Sequence, residues 1–456
     1  MTAKTSAFDA ALWLDENPEI THLRTALFDL NGLLRGKIVP REQLAKIVAG
    51  SVRMPLSTVN LDIWGRDIKS SKWVFASGDA DGACEWTGRG PLPIDWTARS
   101  TALVPLTMLN NDGTPFVGDP RHVLAGVLDR LAAVDLYPVA AFEMEFYLVD
   151  PGAGMQTPQG FMPNPGTTSQ QVRDAALSID ELDSNDTFIN EIYDACRQQN
   201  IAVDTFISEA GMGQFEVNLM HSGDILKVAD DAALFKQVAK GVAQKHRLSA
   251  CFMAKPFPEQ PGSGMHVHLS MLDPQGQNIF DDGTEQGSAV FHHAIAGALH
   301  GMNDSMLIFA PHQNSYRRFI VEAHAPLLPS WGYENRTAAI RVPLGHNSQR
   351  RMEHRVAGAD TNPYLVMATI LAAVLTGIED RRDPIAPVVG NAYESDAPSL
   401  PRDWGTAIDC FANSGMIRRM LPSTMIDMFS DCKKQERLRF ATDVSAFEYN
   451  TYLDQC

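Results

Sequence analysis

No two of the six cysteines (Cys84, Cys196, Cys251, Cys410, Cys432, Cys456) stand in a C-x-x-C spacing. That argues against a thiolate zinc site and a disulfide framework, and the expected location is the reducing cytoplasm. Long apolar runs are missing as well. The richest, Tyr364 to Leu375, is too short to cross a bilayer and contains Thr369, so no membrane partner is expected. It reads instead as a buried core helix, with Thr361 or Asn362 as cap and Pro363 at the first helical position. Basic residues are outnumbered, 38 Lys and Arg against 55 Asp and Glu, for a net charge of -17. A protein that tracks phosphates needs a basic footprint, so nucleic acid is excluded as a partner. The opening residues hold no continuous apolar core before Asp15 and Glu16, unlike a secretory signal. Among nucleotide-binding signatures there is no GxxxxGK[ST], no GxGxxG after a strand and no kinase HRD set.

What is present is a chain of 456 residues, 45% hydrophobic, long enough for two domains. LRTALFDLNGLLRGKIVP reads as a strand pair turning at Asn31-Gly32. Short strand-like pieces and glycine or proline turns continue to residue 120. The pattern then changes to an amphipathic helix, RHVLAGVLDRLAAV, and a strand, FEMEFYLV. A boundary near residue 115 therefore separates a small N-terminal domain (1–115) from a large α+β domain (116–456). Residues 151 to 170 read as a polar, Pro/Gly-rich surface excursion or lid.

The chemistry concentrates on strand faces. In GSGMHVHLS, period-two alternation puts His266, His268 and Ser270 on one face, after a glycine-rich lead-in suited to anions. Glu143, Glu145 and Tyr147 share a face opposite Phe142, Met144, Phe146 and Leu148. Gln214, Glu216 and Asn218 do the same, with Glu209 seven residues before Glu216. Arg351, Glu353 and Arg355 alternate in RRMEHR. Each taken singly is also compatible with a solvated sheet edge or a surface ion-pair ladder. Together, five glutamates and a histidine form a ligand set for Mg²⁺ or Mn²⁺, which prefer oxygen and bridge nucleotide phosphates. Arg317, Arg318, Arg336, Arg341 and Arg355 add guanidinium forks for phosphate and carboxylate. Arg336 and Arg341 differ in parity, which puts Arg336 in the loop before the strand. Metals and arginines around a charged substrate describe phosphoryl transfer.

FEMEF, AGMGQFEVNL, FMAKPFPEQPGSGMHVHLS, NSYRRF, NRTAAIRVP and RMEHRVAGADTNPYL, in this order, resemble the glutamine synthetase family, and within it the branch that joins glutamate to putrescine. The resemblance implies an N-terminal β-grasp domain, a catalytic domain built on an antiparallel sheet flanked by helices, and a homo-oligomer, a dodecamer of two hexameric rings. It implies ATP, glutamate and a small amine as substrates, with two or more Mg²⁺ or Mn²⁺ per site. Glu145, Glu209 and Glu216 would hold one metal, and Glu143, His266 and Glu353 the second. Gly262 and Arg318 would clamp glutamate, with Arg355 near its side-chain carboxylate. Arg336 and Arg341 would hold the transferring phosphate, and His268 and Ser270 would contact ATP, with Arg341 and Arg355 also on the nucleotide side.

Two departures bear on the amine. Ammonia-using members carry an acidic DGSS-type motif where this chain reads Met54-Pro55-Leu56-Ser57-Thr58, and a glutamate before Ala-Pro where His324 stands. Both remove acid from the ammonium pocket and favour a larger amine, with His324 as the proton acceptor. The expected lining is Met54, Leu56, Trp64 and His324, with Asp62, Asp67 or Glu322 receiving the far ammonium of a diamine. A monoamine ligase, a true glutamine synthetase and an inactive structural relative are the alternatives.

Overall fold

The computed structural model describes residues 8–152, 176–321 and 323–456, so Glu322 and most of the 151–170 stretch lie outside the described residues. The first sheet is built from β1 (His22–Phe28), β2 (Leu34–Pro40), β3 (Val52–Pro55), β4 (Asp81–Trp86), β5 (Leu92–Ile94) and β6 (Thr101–Leu109). Its order is β2-β1-β6-β4-β3, with β5 also on β6. β1 and β6 run parallel and the other pairs antiparallel, so the chain between β1 and β6 must cross over. Eight of the nine residues of β6 are buried, because the strand lies at the centre of the sheet.

The β1–β2 connection turns at Asn31-Gly32, as expected. It is the five-residue loop 29–33, closed by Asp29 N–H on Leu33 O (2.9 Å) and by Leu33 N–H on Asp29 Oδ1 (2.9 Å). Gly32 supplies the left-handed φ of +74° that the loop needs. Asn31 does not face water as a turn residue would. It donates to Leu61 O (3.1 Å) and Glu436 Oε1 (3.3 Å) and accepts from Lys433 Nζ, tying the loop to the long helix Ser423–Ala441. Lys433 and Glu436 are both fully buried and pair at 2.8 Å.

The second sheet comprises β7 (Tyr137–Val149), β8 (Val203–Ser208), β9 (Gln214–Leu219), β10 (Ser249–Cys251), β11 (Met265–Leu272), β12 (Trp331–Tyr333), β13 (Ile340–Val342) and β14 (Met352–His354). Its order is β12-β13-β14-β11-β7-β9-β8, with β10 also on β7. All pairs are antiparallel except β12 with β13. The apolar face is dry: Phe142, Met144, Phe146 and Leu148 on β7, and Met265, Val267, Leu269 and Met271 on β11, have no exposed area. Phe146 alone meets five other phenylalanine rings. The helix Pro363–Glu379 is buried along nearly its whole length, and Asn362 is its cap, accepting from Tyr364 N–H (3.0 Å). It meets the helix Ala289–Met302 at a close crossing where a Cβ on Gly297 would stand 2.2 Å from Ala373 O. No described helix is long and apolar enough to cross a membrane.

Candidate active site

The register of five central strands assembles the polar face. On β7 and β9, Glu145 lies opposite Glu216 and Glu143 opposite Asn218. On β7 and β11, Glu143 lies opposite His266. On β11 and β14, His268 lies opposite Glu353, and on β14 and β13, Glu353 lies opposite Arg341. Directly paired residues share a sheet face, so residues distant in sequence form one band.

Within the band, Glu143 is the hinge. Its Oε1 is 2.7 Å from His266 Nδ1 and its Oε2 3.2 Å from His268 Nε2. Burial opposes its ionisation, but the hydrogen bonds and charges of the two histidines hold its carboxyl well below the usual range. Glu353 is 1% exposed, with His266 Nδ1 3.6 Å away, and it accepts from Arg341 Nη1 (2.9 Å) and from Arg355 Nη1. Burial again opposes its charge, and Arg355, His266 and His268 outweigh it, so its pKa is lowered. Donor atoms of Glu143, His268 and Glu353 lie within 4.8 Å of one another, close enough to hold one ion. His266, the histidine expected in that set, contacts the same two glutamates through Nδ1.

The other carboxylates are under stress. Glu216 is raised to about 10 by burial first and then by Glu143, Glu145 and Glu209. Glu209 is raised to about 7 by burial and then Glu145. Glu145 accepts from Gly264 N–H (2.7 Å) and, at 3.5 Å, from Gln214 Nε2. These donors are neutral, and no described cation closes on Glu209 or Glu216. A packed acid cluster lacking its own base fits a divalent cation.

Beside the acids sits a cationic corner. Arg318 is 5% exposed and donates to Val356 O (2.8 Å) and Arg355 O (3.3 Å). A side chain on Gly262 would collide with it, its Cβ 2.8 Å from Arg318 Cγ, so glycine here keeps the approach to the guanidinium open.

A profile of the glutamine synthetase catalytic domain matches residues 117–452. The chain belongs to the glutamine synthetase family. It is 35% identical over 438 residues to the gamma-glutamylputrescine synthetase PuuA of Escherichia coli K12, covering 94% of this chain and 90% of that one. It is 31% identical to a glutamate–isopropylamine ligase of a Pseudomonas species, covering 96% of both. The solved structure titled GmaS/ADP complex superposes with a TM-score of 0.83 at 27% identity, over 98% of this chain and 99% of that one. This family member is accordingly an enzyme of the ligase class.

The remaining expected residues are distributed unevenly. Arg336 lies in the loop before β13, exposed, as its parity required. Ser270 shares the face of His268, but its hydroxyl donates to Arg350 O (2.8 Å). Arg351 lies just outside β14, which spans three residues only. His324 is exposed, in a loop, with a left-handed φ of +53°. The expected amine lining is corrected. Met54 (3% exposed), on β3, and Leu56 (7%), in the 3₁₀ turn Leu56–Asn60 that follows it, are buried in the hydrophobic core. Asp62 is spent as a loop cap, accepting from Trp64 N–H, Arg66 N–H and Gln435 Nε2. Trp64 remains on the surface, with the guanidinium of Arg439 4.0 Å from its ring centroid.

Sequence reasoning gave no role to two residues of the band. Gln214 links Glu145 to Gly262 O (3.0 Å) and Ser263 Oγ (3.4 Å). Its parity with Glu216 was the available signal. Glu334 pairs with Arg341 at 3.3 Å from a turn, where no periodicity marks it.

Proposed function

We infer that this enzyme uses ATP to join the γ-carboxylate of glutamate to an alkyl amine or diamine, putrescine or a related polyamine, and not to ammonia. The observation that carries the ligase chemistry is the acid band of half-buried Glu143, Glu145 and Glu209 and buried Glu216 and Glu353, flanked by Arg318, Arg341 and Arg355. Support for an organic amine comes from relatives named for putrescine, isopropylamine and ethanolamide.

In this reading Glu145, Glu209 and Glu216 hold one divalent cation, and Glu143, Glu353 and a histidine, His266 with His268 beside it, hold a second. Held by these residues, Mg²⁺ or Mn²⁺ would supply positive charge to neutralise phosphate oxygens. Arg318 and the backbone at Gly262 hold glutamate, with Arg355 next to its side-chain carboxylate. One γ-carboxylate oxygen attacks the γ-phosphorus of ATP and ADP leaves, giving γ-glutamyl phosphate. Arg336 and Arg341 hold the transferring phosphoryl group, whose charge peaks between two anions. His268 and Ser270 border the nucleotide. The neutral amine nitrogen then attacks the acyl carbon, phosphate leaves, and the excess proton passes from nitrogen to the imidazole of His324. Trp64 and His324 remain as organic lining, and Asp67 as the exposed acid nearest in sequence for a far ammonium. We place the boundary of the N-terminal domain near residue 115 and propose a ring-forming homo-oligomer. The apolar side chains left on the C-terminal helix Ala446–Tyr452, Phe447 at 82% exposure among them, support assembly.

Phosphate release measured across ammonia, methylamine, longer monoamines and putrescine tests the amine. Each buried methylene contributes about 0.8 kcal/mol, so kcat/KM for an alkyl amine should exceed that for ammonia at least about tenfold. Ammonia as the best substrate would overturn the reading; a monoamine as the best would overturn the diamine alone.

A further inference from the structure

Tyr147 shares the polar face of β7 with Glu143 and Glu145, yet the reaction proposed above gives it no task. Its side chain has no exposed area, and its hydroxyl donates to Pro261 O at 2.8 Å. The ring also meets Phe257 edge-on, with 5.4 Å between centroids. Tyr147 therefore holds the segment leading into Gly262 at two points.

Its strand partner does the same one residue further on. Tyr147 lies opposite Gln214 in the register of β7 and β9, and Gln214 Nε2 donates to Gly262 O at 3.0 Å. Neighbouring side chains on one sheet face thus hold two consecutive carbonyls. In a trans peptide the C=O and N–H point in opposite directions. With Gly262 O turned to Gln214, the N–H of Ser263 points the other way and donates to Ala254 O (2.9 Å). With Pro261 O turned to Tyr147, the N–H of Gly262 is likewise aimed away from the hydroxyl. Lys255 closes the segment, donating from Nζ to Gln260 O (2.5 Å).

The loop between Glu209 and Gln214 packs on the same pair. A Cβ on Gly211 would stand 2.2 Å from the Tyr147 hydroxyl and 2.6 Å from Gln214 Oε1, so only glycine allows this approach. Gln214 Oε1 accepts from Gly211 N–H (3.2 Å), and Met212 N–H donates to Gln260 Oε1 (3.3 Å). The acid-bearing loop and the Gly262 segment are therefore both built onto Tyr147 and Gln214.

We propose that Tyr147 is a positioning residue for glutamate, with Gln214 as its partner. Together they set the orientation of the Pro261–Gly262 peptide relative to Arg318 and the acids. This rests on the glutamate subsite proposed above and adds which side chains aim its backbone. A phenyl ring at position 147 would fill nearly the same volume and leave Pro261 O without its donor. The expected effect is on glutamate binding, with phosphoryl transfer little changed.

Steady-state kinetics of glutamate-dependent phosphate release, run on wild type, Tyr147→Phe and Gln214→Met with the best amine at saturation, tests this. KM for glutamate should rise tenfold or more in each variant, with kcat within threefold and KM for ATP within twofold of wild type. A KM that rises at constant kcat marks binding lost equally from ground and transition states. Calorimetric titration with glutamate in the presence of Mg²⁺ should show the same loss of affinity. Should Tyr147→Phe fold poorly by circular dichroism, Gln214→Met carries the same expectation. A glutamate KM within twofold of wild type in a folded variant, a parallel rise in both KM values, or loss of the fold in both variants would each overturn the proposal. Wild type without glutamate-dependent release would overturn the glutamate reading itself; wild type with it beside unaffected variants would overturn the positioning role alone.

Discussion

Replacing Glu216 with glutamine should make the metal-free enzyme more stable while destroying its activity. The side chain is 8% exposed, and burial together with Glu143, Glu145 and Glu209 raises its pKa from 4.5 to about 10. A carboxyl raised on folding binds its proton more tightly in the native state. Native stability therefore falls as pH rises from the unfolded value toward the folded one. At pH 7 the cost of keeping Glu216 protonated is 2.5 units above 4.5, about 3 kcal/mol at 1.36 kcal/mol per unit, and at pH 5 it is under about 1 kcal/mol. Glutamine is neutral in both states and still accepts from Asn218 Nδ2, now at 2.9 Å from Glu216 Oε1. In EDTA-treated protein, thermal melts should show Glu216→Gln above wild type at pH 7.5, with the gain nearly gone at pH 5. Adding Mg²⁺ or Mn²⁺ should reverse the order at pH 7.5, because the wild type gains a full charge of ligation that the variant lacks. Turnover should fall at least about a hundredfold, as loss of charge stabilisation in a phosphoryl-transfer site commonly costs. A variant less stable than wild type without metal at pH 7.5, or a gain equal at both pH values, would refute the account of the acid cluster.

Other consequences follow from the same geometry. Glu145→Ala should abolish phosphate release while circular dichroism stays native, and near-normal turnover would remove Glu145 from the metal set. Lys433→Met strands Glu436, which is 0% exposed, and should cost about 3–5 kcal/mol in unfolding experiments; a loss under about 1 kcal/mol would show the pair to be dispensable at the domain seam. Gly297→Ala drives a methyl into Ala373 O at 2.2 Å and should lower the melting temperature by an amount matching about 1–3 kcal/mol, read by calorimetry. An unchanged melting temperature would mean that the two helices separate freely.

Residue alternation alone determined which side chains share a face. Glu143 with Glu145, His266 with His268, and the apolar Phe142, Met144 and Phe146 turned the other way were legible because a strand's period of two is a local property. The motif order gave the family, and parity put Arg336 in a loop ahead of Arg341. Which faces meet, and in what register, was decided only by the tertiary structure. His266 reaches Glu143 across 123 residues of chain, a pairing that no local pattern encodes. The same limit explains the misplaced amine lining. Met54, Leu56 and Asp62 look like pocket residues in the sequence, yet Met54 and Leu56 are buried in the hydrophobic core, and hydrogen bonds from Trp64, Arg66 and Gln435 occupy Asp62. Inward or outward orientation of a short strand depends on what covers it, and here the covering elements come from elsewhere in the chain. Periodicity is written in neighbours along the sequence, whereas burial, charge coupling and the raised pKa of Glu216 are written in neighbours in space.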